Sequence, residues 1–476
     1  MKPETITLLV IFIPLLGALL VPLAGAISFK LRSGWSVLVG GLTTCLSLTL
    51  IPQAMKGGEI IWSKGLALGL DLVLVIDPLS IFMSIISSFI GFLIIVYSLG
   101  YMHHEDHQNE YYLMVTVFIG SMMGLVFSGN LVFMYLFWEM IAIACWRLIG
   151  FYRQKDYVIK ADKAFLVTFG GAVVMLLGFI LIYGQTGTFN LVDMRGVAIS
   201  GTAVLLILFG MFSKSATVPL HTWLPDAGVA PTTVTALLHA AVLVKIGVYA
   251  YARLFLYTFN IPADWQQGII ILAVLSSLIA AGAATVENDF KRILAYSTVS
   301  QIGYIFLGLS VATPTAISGA LLYILMHGLA KAGLFLCAGI VIHATHKRDI
   351  REMGGLIKTM PITAISFLLC AFSVIGLPPL GGFFSKLLVI LGTLQADQIW
   401  VAALALFTAV LTMFYLLRVF AMVFLGELKT AAPEKTPSMV GVVASLAVLS
   451  VLAGLLVSYP MKLVQMATTH ISWWLR

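Results

Sequence analysis

Apolar runs of about 18 residues or more recur along the whole of this chain, each long enough to cross a bilayer as a helix. Of its 476 residues, 61% are hydrophobic and 10% charged, whereas soluble globular proteins carry about 25% charged residues. A soluble surface cannot be built from that composition. Closed β-barrels are excluded as well, because the runs lack the alternating polar positions that a barrel interior needs. The first run, in MKPETITLLVIFIPLLGALLVPLAGAISF, is too long for a signal peptide and reads as the first transmembrane helix. Cys45, Cys145, Cys337 and Cys370 are scattered through apolar segments with no close pair, which argues against disulfides, iron–sulfur clusters and structural zinc. The net charge of +7 comes without a basic run, so nucleic acid is not an expected partner.

Glycine, proline and charge punctuation divide the chain into 14 expected helices. They cover 5–29, 33–51, 78–102, 111–128, 130–150, 163–184, 200–218, 233–258, 266–286, 291–311, 315–343, 360–392, 398–425 and 438–459. Residues Gly57–Asp77 alternate in polarity and read as a short extramembrane hairpin. Loops after odd-numbered helices carry 14 of the 27 Lys and Arg, among them Lys30, Arg32, Arg153, Lys291, Arg292 and Arg351. The opposite side carries only six: Lys2, Lys56, Lys64, Arg195, Lys462 and Arg476. Positive charge marks the cytoplasmic side, so both termini are expected on the non-cytoplasmic side of the cell (inner or plasma) membrane.

Seven basic residues remain inside spans: Arg147, Lys214, Lys245, Arg253, Lys331, Lys386 and Arg418. The arginines sit toward helix ends, where they can snorkel to the headgroups. The lysines lie deeper, and each charged ammonium costs about 2.5–3.5 kcal/mol at a helix centre. Glu139 is the one acid expected at mid-membrane. A buried Glu–Lys pair that only fixes packing is the competing reading, but intramembrane ionisable groups usually mark ion pathways. His327 and Lys331 are four apart on one helix face, a suitable proton-transfer pair near neutral pH, and His221 and His239 flank the turn between helices 7 and 8. No two histidines have the spacing of a haem site. His103, His104 and His107 form a polar loop, with metal binding the weaker alternative.

Two expected helices are broken. Pro219 and Pro225 interrupt the region after Lys214, and Pro378, Pro379, Gly381 and Gly382 interrupt the region before Lys386. Irregular backbone at membrane depth survives only where protein or a water-filled cavity covers it, and paired interruptions point to inverted repeats around an ion site. Helices 4–8 and 9–13 then form two five-helix repeats of opposite topology. The expected organisation is residues 1–110 with the hairpin, 111–258 and 259–426 as the repeats, and 427–476 with helix 14. The fold class is all-α integral membrane.

These residues resemble the antiporter-like subunits of respiratory complex I and its relatives, the multisubunit Na+/H+ antiporters and the membrane-bound hydrogenase and sulfane reductase complexes. The resemblance rests on Trp138–Glu139, Ser213–Ala227, Ala230–Tyr249, Asn288–Tyr304, His327–Phe335 and Gly376–Lys386, and extends over nearly the whole chain. It implies that Glu139, Lys214, Lys245, Lys331 and Lys386 form a central proton-conducting axis. It also implies side-by-side homologous subunits and redox subunits as partners. Two departures stand out. No long lateral helix follows the core, which suggests a shorter homologue, and Arg147 lies about two helical turns after Glu139, where it could compete for the carboxylate.

No nucleotide, redox or hydrolytic motif occurs, so no cofactor or metal is expected, and the driving chemistry belongs to partner subunits. The alternatives are a subunit of a stand-alone cation/proton antiporter, or a membrane scaffold for a soluble enzyme, as in bicarbonate uptake. A solute symporter is the poorest fit, because single titratable groups do not line a substrate-sized site.

Overall fold

The computed structural model describes residues 1–66, 70–434 and 436–472. It is a helical bundle, and among the described residues 12 helices are long and apolar enough to cross a membrane. The first part comprises α1 (Pro3–Ile27), α2 (Phe29–Leu48), α3 (Ile51–Met55), β1 (Ile60–Gly65), β2 (Asp71–Ile76), α4 (Pro78–Tyr101), α5 (Gln108–Phe127), α6 (Leu131–Ile149) and α7 (Lys155–Thr186). The expected hairpin is present, with β1 antiparallel to β2 from Ile60 opposite Ile76 to Gly65 opposite Asp71. Asp77 then starts α4 through a reciprocal cap, its Oδ1 accepting from Ser80 N at 2.8 Å while its own N donates to Ser80 Oγ at 3.0 Å.

The middle of the chain comprises β3 (Val197–Ala198), α8 (Gly201–Lys214), α9 (Trp223–Asp226), α10 (Thr232–Ala236), α11 (Leu243–Tyr251) and β4 (Phe259–Asn260). Two π-turns, Leu237–Ala241 and Ala252–Leu256, join with α10 and α11 to make one membrane-length segment, Thr232–Leu256. After it come α12 (Ala263–Val286), α13 (Phe290–Val311), α14 (Pro314–Thr345), α15 (Pro361–Ile375), α16 (Gly381–Gln395), α17 (Ile399–Phe424), α18 (Pro437–Leu455) and α19 (Ser458–Ser472). The expected 360–392 helix is thus two helices, α15 and α16, split at the Pro-Pro-Leu-Gly-Gly sequence.

Thr232–Leu256, α13 and α14 are buried on nearly every face and form the centre of the bundle. The peripheral helices turn apolar side chains outward instead, such as Leu19 and Leu23 on α1, Leu166 on α7 and Phe414 on α17. An outward apolar belt suits a hydrocarbon solvent rather than water. The chain is therefore a multi-pass membrane protein.

Several charge assignments change in three dimensions. Arg253, expected to snorkel, is 1% exposed and clasps Asp77 through two bonds of 2.6 and 2.9 Å. Glu139, a half-buried residue with shielded carboxylate oxygens, is therefore not the sole interior acid, since Asp77 is fully buried. Lys291 and Arg32, expected in loops, are buried as well, Lys291 by donating to Ala230 O at 2.8 Å and Arg32 by binding Asn109 Oδ1 at 2.9 Å. Arg147 pairs with Glu110 on α5, which also holds Arg153 at 2.7 Å, and so does not compete for Glu139.

α19 is an element that the expected helices did not include. It buries Val464, Ala467, Thr468 and Ile471, one stripe of helical period, against α14, α4 and α3. Its low hydropathy hid it. His470 Nε2 lies 2.8 Å from the Tyr257 hydroxyl and 3.5 Å from Glu59 Oε2. Burial alone would raise the Glu59 pKa, but bonds from His470, Arg195 and Tyr257 outweigh it and hold the carboxyl well below the usual range. A depressed carboxyl contributes stability above its unfolded pKa of about 4.3 and loses it as the pH falls. Amide exchange over 458–472, corrected for intrinsic rate, should therefore accelerate as the pH drops below about 4. In Glu59→Gln it should be fast already at neutral pH.

Candidate functional site

The first break sits at the end of α8. Lys214 is the last residue of that helix, and Ala216 turns the chain with φ of 52°. A carbonyl at the break finds a new partner, Trp223 Nε1 donating to Ser213 O at 2.9 Å, and the Ser215 hydroxyl donates across to Val244 O at 2.7 Å. The second of these bonds joins the chain neighbours of Lys214 and Lys245. Lys214 is fully buried, donates to Trp138 O at 3.2 Å and lies 5.6 Å from the Trp138 ring centroid. The next residue on α6 is Glu139. Its carboxylate faces Lys214 and Tyr135, and both oxygens are shielded from solvent without meeting hydrogen-bond geometry.

The π-turn Leu237–Ala241 carries His239, and the adjoining α11 carries Lys245, whose Nζ donates to Ala240 O. Opposite it, α14 has Gly328, where an added Cβ would stand 2.5 Å from Lys245 Nζ. His327 is the adjacent residue, and the titratable groups that act on its ring include Lys245, Lys331, Lys386 and His239. Lys331 donates to Leu294 O at 3.1 Å. His239 stacks on Phe335 with centroids 4.4 Å apart. Both ring nitrogens of His239 and of His327 are buried without a hydrogen-bond partner in the structure.

At the second break, Gly376 ends α15 with φ of 93°, a left-handed conformation that suits glycine. Gly382 is packed so closely against Ser373 O that a Cβ would collide with it. Lys386 reaches back across this gap to donate to Val374 O at 2.7 Å, with its Nζ 5.3 and 5.5 Å from the Tyr304 and Tyr323 rings.

A polar network ties this lysine toward Lys331. The Tyr323 hydroxyl donates to Gln301 Oε1 at 2.6 Å, and Gln301 Nε2 reaches the Tyr415 hydroxyl at 3.4 Å. Tyr415 meets Ser297 at 2.7 Å, while Thr298 shares the Leu294 carbonyl with Lys331. Sequence reasoning missed this network and also missed Lys291. Its visible signal is Ser297, Thr298, Ser300 and Gln301 clustered within an otherwise apolar helix.

Glu139, Lys214, His239, Lys245, His327, Lys331 and Lys386 thus line the interior, near the breaks and along α14. His221 does not join them. It is half-buried in the α8–α9 turn, 6.4 Å from the Tyr296 ring and facing Lys163. His239 lies in the π-turn one residue before Ala240, whose carbonyl holds Lys245. Pro219 lies in the first break, whereas Pro225 sits inside α9. Pro378 and Pro379 form the second break, and Gly381 opens α16.

Comparison with known proteins sets this arrangement among its relatives. A family described as NADH:quinone oxidoreductase/Mrp antiporter, TM, matches residues 128–412, and one described as NADH-Ubiquinone oxidoreductase (complex I), chain 5 N-terminus, matches 62–112. The chain belongs to this antiporter-like family. It is 34% identical over 457 residues to NAD(P)H-quinone oxidoreductase subunit 5 of the Paulinella chromatophora chromatophore, covering 88% of this chain and 68% of that one. It is 35% identical over 458 residues to a subunit of the Na(+)/H(+) antiporter of Alkalihalophilus pseudofirmus, covering 87% and 56%. The chain therefore spans between about half and two thirds of these relatives' length. A subunit of an archaeal membrane-bound sulfane sulfur reductase superposes with a TM-score of 0.89 at 26% identity, covering 98% of this chain and 97% of that one.

Replacing Gln301 by Leu should leave the Tyr323 hydroxyl only its long 3.4 Å contact to Val374 O and lower stability by about 1–3 kcal/mol. The measurement is the thermal midpoint in detergent. Adding Tyr323→Phe should recover part of the loss, because both partners are then gone.

Proposed function

We propose that this chain is a proton-translocating, antiporter-like subunit of a multisubunit, redox-driven membrane complex. One observation carries the reading: Lys214, Lys245, Lys291, Lys331 and Lys386 are all buried, and each ammonium is held by backbone carbonyls. None of the ion pairs among the described residues uses any of them. A structural cation in hydrocarbon is normally matched by a carboxylate, as Arg253 is by Asp77. Lys245, Lys331 and Lys386, held by carbonyls, can keep a proton or release it without leaving a carboxylate unpaired, whereas Lys214 also faces Glu139.

In this mechanism Glu139, as the anion, stabilises protonated Lys214. When Glu139 is neutralised or moves, that support ends and the proton passes toward Lys245, whose neighbour Val244 is already bonded to Ser215. His327, ringed by Lys245, Lys331, Lys386 and His239, is the junction. The branch toward Lys386 follows Thr298, Ser297, Tyr415, Gln301 and Tyr323, and exchange with the far side occurs at the second break. Residues 111–258 and 259–426 act as the two inverted repeats, each supplying one broken helix. Both termini lie on the non-cytoplasmic side, which rests on the 14-to-6 charge bias. Homologous membrane subunits and redox subunits are the partners. The 35% identity to an Na(+)/H(+) antiporter subunit supports a second reading, cation/proton exchange without redox chemistry.

The test uses the intact complex in sealed vesicles with a pH-sensitive dye. Glu139→Gln and Lys214→Met should each reduce driven proton uptake to the level of empty vesicles while assembly persists. Full uptake in both variants refutes the route. Collapse of an imposed pH gradient by added Na+ alone would favour the exchange reading.

A further inference from the structure

A second set of buried charges lies off the lysine axis, at the hairpin end of the same helical segment. Lys245, Tyr249, Arg253 and Tyr257 recur at every fourth position, and Arg253 stands eight residues from Lys245, about 12 Å along the helix. The Tyr249 hydroxyl accepts from Arg253 Nε at 3.0 Å and donates to Val126 O at 2.5 Å. Arg253 holds the fully buried Asp77 in a two-point grip. Toward the surface a second two-point pair repeats the pattern, with Arg195 Nη1 and Nη2 each 2.6 Å from a Glu59 oxygen. The Tyr257 ring packs against both guanidiniums, at 4.9 Å from Arg253 and 4.7 Å from Arg195, and its hydroxyl binds Glu59 and His470.

Glu59, Asp77 and His470 place ligand atoms within 4.8 Å of one another, the spacing of a metal site. Both carboxylates are already filled by guanidinium, so the cluster does not act as one. An arginine cannot give up its proton, so it cannot relay one as a lysine can. Each guanidinium is also locked to a carboxylate, so the paired groups hold no titratable proton that could step toward Lys245.

We propose that the Asp77–Arg253 and Glu59–Arg195 pairs, layered on Tyr257, seal the hairpin end of the Lys245 segment against protons. Charge delivered to Lys245 then leaves only along the α14 axis. This inference rests on the translocation reading above, and it adds the residues that give the pathway its direction.

The experiment measures passive proton leak across vesicles holding the intact complex under an imposed pH gradient, with no driving substrate. The paired neutral variant Asp77→Asn/Arg253→Gln avoids an unpaired buried charge. Its leak should rise about tenfold, the effect of a barrier lowered by about 1.4 kcal/mol. Adding Lys245→Ala should return the leak to the wild-type level, because the escaping proton passes through that lysine. An unchanged leak in the assembled paired variant overturns the proposal, as does a leak that survives Lys245→Ala, which would mark loosened packing. If the paired variant does not insert, Tyr257→Phe carries the test: it removes the bonds to Glu59 and His470, and it should leak several-fold faster than wild type. An unchanged leak there overturns the seal. Full driven uptake in both Glu139→Gln and Lys214→Met would instead overturn the translocation reading.

Discussion

The arrangement depends on an ammonium group lying in a low-dielectric interior with a peptide carbonyl as its partner. A carbonyl offers a partial negative charge and two lone pairs, enough to hold a donor but without the full charge that would lock a proton in place. Lys386 meets the carbonyls at the C-terminus of α15, where the last turn leaves acceptors unsatisfied and the helix dipole is negative. Lys214 ends α8 itself, and Lys291 binds Ala230 O just beyond a short 3₁₀ turn. Breaking a helix inside a membrane is costly because it frees backbone groups. Here the carbonyls freed at the second break become the site of Lys386, while Lys214 and Lys331 bind carbonyls within α6 and α13.

The same reasoning explains why the central segment is not a regular α-helix. The π-turn Leu237–Ala241 puts His239 and the carbonyl of Ala240 where α-helical hydrogen bonding would have withheld that acceptor from Lys245. Gly328 completes the fit by leaving room for the ammonium, since any side chain there would meet it. Packing and chemistry are set together: a glycine on α14 and a wide turn opposite it define one lysine position.

Arginine and lysine divide the work. The ion pairs among the described residues are made mostly by arginines, in two-point grips where the carboxylate is deeply buried, while the deepest lysines are left to carbonyls. The planar guanidinium matches a carboxylate and keeps its charge, which suits a clamp. The ammonium is compact and titratable, which suits a carrier. The hairpin, α19 and the end of the Thr232–Leu256 segment converge on such clamps, so the rigid and the titratable charge occupy different ends of one helix.

The sequence by itself determined the membrane class, the placing of nearly every helix, the two breaks and four of the five deeply buried lysines, Lys214, Lys245, Lys331 and Lys386. Hydropathy and the cost of charge in hydrocarbon are local properties, readable one residue at a time. It could not say that Arg253 lies buried on Asp77, 176 positions away in the chain, or that Lys291 turns inward at the mouth of α13. Both sit near helix ends, where exposure depends on what packs across them. The Gln301 network and the amphipathic α19 were missed for the same reason, because polar residues announce partners without naming them. His221 and His239 looked alike as sequence, yet one lies in a half-buried turn and the other against Phe335 in the interior. Only the tertiary structure decided between them, since burial comes from distant helices closing over a site.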